Sequence, residues 1–134
     1  MHRIVLAVAL TLLITFVVPL PIYGALYALT GLQIPTSGSP AQFMISVLVM
    51  KLGVAVAFVL LFFLARKTWI TRWTTYAFVW WVMFALIEVG QAITPDYSSL
   101  AAIGGIVSEA IYFPLSAFVV ARLLLPLEKR HVSA

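Results

Sequence analysis

Apolar residues fill four long stretches of this chain, and polar residues are confined to the short intervals between them. The stretches cover Ile4–Leu29, Ala41–Ala65, Trp73–Ile93 and Ser98–Leu125. None alternates with the two-residue period of a half-buried strand. Each is long enough to cross a ~30 Å hydrocarbon layer as a helix rising 1.5 Å per residue. The pattern predicts an all-α membrane protein: a single integral membrane domain spanning residues 1–134, folded as a bundle of four transmembrane helices with short loops. Composition agrees, with 64% hydrophobic and only 9% charged residues against roughly 25% charged in soluble domains.

Punctuation divides the helices. Pro19 and Pro21 each remove a backbone donor, so a kink or loosened turn is expected within the first stretch. Gly31–Pro40 reads as a loop from its two glycines, two prolines and Thr-Ser-Gly-Ser cluster. Ser39 followed by Pro40 reads as the N-cap and first residue of the next helix. Arg66–Arg72 reads as a short basic turn with Trp69 and Trp73 suited to the membrane interface. Thr94-Pro95-Asp96 ends the third helix, and the fourth is expected to stop before Pro126, leaving a polar tail.

Charge sets the expected orientation. Arg3, Arg66, Lys67, Arg72, Lys129 and Arg130 all fall at one end of the bundle, whereas Gly31–Pro40 and Thr94–Ser98 contain no Lys or Arg. By the positive-inside rule both termini belong in the cytoplasm, and the cell (inner) membrane is the expected location. The first stretch follows a basic start, as a signal peptide does. It lacks a small-x-small cleavage site, since Tyr23 and Leu26 stand where small residues are needed, and it is expected to be retained. The net charge of +4 is topogenic by its placement, so nucleic acid is not an expected partner.

Three charges break the apolar runs: Lys51, Glu88 and Glu109. Each costs at least ~3 kcal/mol on insertion scales at mid-membrane depth, so each requires an explanation. By helical rise Lys51 is ~22 Å above Arg66, Glu88 ~24 Å above Arg72 and Glu109 ~20 Å above Arg122, a common level in the outer half of the membrane. At about 100° per residue Gly105, Glu109, Tyr112 and Ser116 share one stripe of the fourth helix, and Glu88 and Gln91 share one of the third. One Glu is expected to pair with Lys51, with Gly105 tilting the choice toward Glu109. The other carboxyl is then unpaired in low dielectric, where the neutral acid is the cheaper form.

Glu109, Glu88, Lys51, Tyr112 and Gln91 are therefore the candidate ligand- or proton-binding residues of an ion- or proton-coupled transporter of a small solute. The alternative is a non-catalytic accessory or assembly subunit of a larger membrane complex, with the same residues acting as helix-packing contacts. Expected partners are the lipid bilayer and either a second copy, as a homodimer, or another membrane protein. There is no cysteine, His2 and His131 lie at the basic end, and no serine has an evident base. No cofactor, metal site or enzymatic activity is expected.

Overall fold

The computed structural model describes residues 1–32 and 39–132, with side chains described through residue 125. It contains α1 (His2–Val17), α2 (Pro19–Thr30), α3 (Pro40–Leu64), a single turn α4 (Arg66–Trp69), α5 (Trp73–Ala92) and α6 (Ser99–Val132). Among the described residues four spans are long and apolar enough to cross a membrane: His2–Thr30, Pro40–Leu64, Trp73–Ala92 and Ser99–Leu125. The expected four-helix membrane bundle is what the chain forms.

Local chemistry explains the breaks. The Val18 N–H still reaches the Ile14 carbonyl, but Pro19 and Pro21 bring no N–H, so the helical ladder is interrupted there and α2 begins afresh. Gly31 closes α2 in the left-handed region at φ 67°, its N–H bonded to the Tyr27 carbonyl. The interior of the expected loop, residues 33–38, lies outside the described residues. Ser39 caps α3 as expected, and Gln42 completes a reciprocal capping box: Gln42 N–H donates to Ser39 Oγ at 3.2 Å and Ser39 N–H to Gln42 Oε1 at 3.1 Å.

Two boundaries differ from expectation. The basic turn holds a helical turn of its own, α4, whose Thr68 and Trp69 N–H groups both reach the Ala65 carbonyl. Moreover, α6 does not stop at Leu125 but continues through Pro126 to Val132. Proline's fixed φ suits a helix, and the ring deprives only the carbonyl four residues back, that of Arg122. Arg122 is exposed at the basic end, where water can solvate that carbonyl.

The bundle is organised around α6. Half of its span is buried against 17–22% of the other three, and it packs on α1, α2 and α5 while α1 also packs on α3. Backbones of α3 and α5 are held apart by large rings. Phe58 lies 4.9 Å from Tyr76 and 5.2 Å from Trp80, centroid to centroid, and 5.7 Å from Phe113 of α6. The Tyr76 hydroxyl donates to the Phe58 carbonyl, tying α5 to α3. This aromatic core fills the α3–α5–α6 side toward the basic end. The buried residues of α1, which packs on both α3 and α6, are of a different kind: Ala7, Thr11 and Thr15. At the basic end Arg3 Nη1 donates to the Leu123 carbonyl at 3.2 Å, pinning the start of α1 to α6.

Candidate functional site

The three intramembrane charges converge inside the bundle. Gly105 makes this possible, because a Cβ on it would lie 2.5 Å from Glu88 Cδ and 2.6 Å from Glu88 Oε1. The α5 carboxyl occupies the volume a side chain would take, one turn before Glu109 on α6. The adjacent Gly104 performs the same service for α2, since its Cβ would meet Leu26 Cδ1 at 2.7 Å and the Tyr23 ring at 3.0 Å. Two consecutive glycines on different faces let α6 approach α5 and α2 at one level.

Glu109 is 4% exposed, and its Oε2 has no hydrogen-bond partner among the described residues. Glu88 is half-buried and accepts a hydrogen bond from the Tyr97 hydroxyl at 2.8 Å. Lys51, also half-buried, donates to the Tyr112 hydroxyl at 3.3 Å and sits 4.7 Å from the centroid of the same ring. Tyr23 donates to the Ala101 carbonyl at 3.1 Å, beside the glycine pair. Lys51, Tyr23, Tyr97 and Tyr112 all lie within range of both carboxyl charges. Burial first, and then its bond to Glu88, hold the Tyr97 phenol above the ordinary tyrosine range, so Tyr97 remains a donor well into alkaline conditions.

The expected direct pairing of Lys51 with a carboxylate is not formed. Among the described residues Lys51's hydrogen-bond partner is Tyr112, and the cleft at Gly105 is filled by Glu88, not by a Glu109–Lys51 pair. The physical reason is side-chain direction: an α-helical tyrosine leans toward its own N-terminus, which carries the Tyr112 hydroxyl up to the Glu109 level and under the ammonium. Its π face and hydroxyl together solvate the cation. Gln91 is set apart from the others; it is exposed, and its backbone carbonyl accepts from Thr94 N–H at 2.9 Å and Thr94 Oγ1 at 2.7 Å.

Tyr23 and Tyr97 are members that sequence reasoning missed. Tyr97 lies in a turn and Tyr23 in a proline-broken stretch, so helical periodicity says nothing of where they aim. The available signal was Gly104-Gly105, which demands bulky neighbours on two faces. Trp80 belongs to the aromatic core, with Phe84 at 6.0 Å and Phe113 at 5.8 Å, while Trp81 Nε1 donates to the Ile106 carbonyl at 3.2 Å.

The arrangement supplies two carboxyls, one ammonium and three phenols in a shared low-dielectric site. With one carboxyl protonated it carries no net charge, and with both ionised it holds an uncompensated negative charge that a proton or cation would neutralise. No protein-family model matches the chain, and neither a curated protein sequence nor a solved structure matches it.

Proposed function

We propose that the chain is a small proton-coupled transporter of the cell (inner) membrane, with both termini cytoplasmic and no catalytic activity, working as a homodimer because four helices enclose little space. Glu109 is the carboxyl that takes up and releases the proton. Lys51 is the internal counter-cation held by Tyr112, and Glu88, held by Tyr97, is the second carboxyl of the site. The observation that carries this reading is the burial of Glu109 with Oε2 unpartnered beside a second carboxyl. A group that served only to glue helices would have both oxygens bonded, since each unpaired buried polar atom costs about 1–3 kcal/mol.

Proteoliposomes on a solid-supported membrane test it. A pH jump is expected to displace charge in the wild type, and Glu109→Gln, which cannot exchange a proton, is expected to abolish the signal. Thr75→Ala, on an exposed face of α5, should leave it intact. A full-sized signal from Glu109→Gln removes the assignment.

The accessory-subunit reading has one observation behind it, an apolar groove lined by Trp73, Phe78, Trp81, Ala110 and Pro114. Co-purification with a larger complex in mild detergent, together with an electrically silent pH jump, would put that reading in first place.

A further inference from the structure

We infer that the α1–α6 interface is a hydrated proton relay joining Glu109 to the end of the bundle that carries Arg3; this rests on the proton-site reading of Glu109. Two buried hydroxyls carry the inference. Thr11 is 1% exposed and Ser116 0%, yet neither Thr11 Oγ1 nor Ser116 Oγ has a hydrogen-bond partner among the described residues. A buried serine or threonine on a helix ordinarily turns its hydroxyl to the carbonyl one turn back. Ser108 does so, donating to the Gly104 carbonyl at 2.7 Å, and Thr15 donates to the Leu12 carbonyl at 3.1 Å. Thr11 and Ser116 leave that local solution unused.

Their placement is not scattered. On α1, Arg3, Ala7, Thr11 and Thr15 recur every four residues, a spacing that winds ~40° per step around the helix, and the last three are the buried residues of that helix. On α6, Glu109, Ser116 and Leu123 recur every seven, a spacing that drifts only ~20° per step. The helices run antiparallel and are pinned at the basic end by Arg3 Nη1 on the Leu123 carbonyl. Counted upward from that pin, Thr11 stands at ~12 Å and Ser116 at ~11 Å, so the two unpartnered hydroxyls share one depth. Thr15 stands at ~18 Å and Glu109 at ~21 Å. The Thr15 carbonyl is there too, without a helical donor because Pro19 has no N–H.

From the basic end upward the interface thus offers the Arg3 guanidinium, a pair of hydroxyls, the Thr15 carbonyl and the unpartnered carboxyl oxygen; the ~11 Å first step takes a file of three or more waters, and the shorter steps above it take one or two. The other flank of the site offers no such ladder, because Phe58, Trp80 and Phe113 close it. In the relay the Glu109 acid O–H bond breaks as a water accepts its proton, leaving a carboxylate. The excess proton passes along waters held by Thr11 and Ser116 and leaves beside Arg3, and uptake runs in reverse. No electron changes hands.

Radiolytic footprinting of the full chain in liposomes tests this directly, because hydroxyl radicals arise from water and oxidise the side chains next to it. Oxidation is expected at Tyr112, above the level at Val79 and Leu86 on the exposed face of α5, and loss of it in the Thr11→Val/Ser116→Ala double variant. Background oxidation in the wild type, or oxidation indifferent to the double variant, overturns the relay.

The melting temperature gives a second readout. In a dry interface each substitution relieves an unpaired hydroxyl and raises the melting temperature; in a hydrated one it strips a water of a partner and does not. A rise in both single variants therefore also overturns the relay. The pH-jump signal separates the two proposals. Footprinting that succeeds while the wild type is electrically silent shows a hydrated seam but sinks the proton-site reading and the relay with it, whereas footprinting that fails beside a normal pH-jump signal sinks the relay alone.

Discussion

At the scale of single residues, the site is governed by how each charged group is solvated from within the protein. Lys51 has a hydroxyl and a ring face from Tyr112 in place of an ion-pair partner, yet both carboxyl charges lie within range of it. Lys51→Met should therefore lower the melting temperature in detergent by an amount equivalent to about 1–3 kcal/mol, the range for stranding a buried polar partner. The loss should shrink as pH falls, because carboxyls that take up protons no longer need the cation. Adding Glu109→Gln should recover more of the loss than adding Glu88→Gln. Thermal melts of the two double variants decide the matter, and strict additivity in both would mean that no coupling exists. Counting helical rise from the basic residues was enough to bring Lys51, Glu88 and Glu109 to one level, because rise is set by backbone geometry alone. Hydrogen-bond partners were not legible, because they depend on the lean of long side chains such as Tyr112 and on Tyr97, which no helical period governs.

Between elements, the same glycine that looked like a packing device for Glu109 turns out to be the seat of Glu88. Sequence reading recognised that Gly105 permits close approach but not which helix would take advantage, since a glycine marks a cavity without naming its occupant. Gly105→Ala tests that seat. The added Cβ would fall 2.5 Å from Glu88 Cδ, and the carboxyl, at the flexible end of its side chain, would swing out and break its bond from Tyr97. The melting temperature should drop modestly, within the ~1–3 kcal/mol typical of overpacking, while the pH-jump signal falls sharply although Glu109 is untouched. An undiminished signal would remove Glu88 from the site. Helix starts were more legible than helix ends. Ser39-Pro40 announced α3 through capping chemistry that acts within four residues, whereas Pro126 looks like a terminator and is passed over by α6. A proline's penalty falls on one distant carbonyl, and whether that carbonyl finds water depends on its surroundings in the finished bundle.

For the whole molecule, the decisive asymmetry is that one end of the bundle is basic and the other is not. The Arg3–Leu123 bond brings the start of α1 and the end of the α6 span to the same end, which is also where Arg66, Lys67 and Arg72 join α3 to α5. The opposite turn, Thr94–Ser98, carries no Lys or Arg. Positive loops resist translocation, so the proposed topology turns this end to the cytoplasm, sets the Glu109 site in the outer half of the membrane and has the proposed α1–α6 relay running inward from it. The chain has no cysteine, so single thiols can report sidedness without any background to remove. Ser98 and Thr68 are both exposed and lie at opposite ends of the bundle. On intact cells an impermeant maleimide should label Ser98→Cys and spare Thr68→Cys, which should react only once the membrane is permeabilised. The reverse pattern would invert the bundle, turn the relay toward the outside and place Glu109 nearer the cytoplasm. Equal labelling of both thiols on intact cells would likewise defeat the assignment, because a charge asymmetry that fixes one orientation leaves one end of the bundle protected.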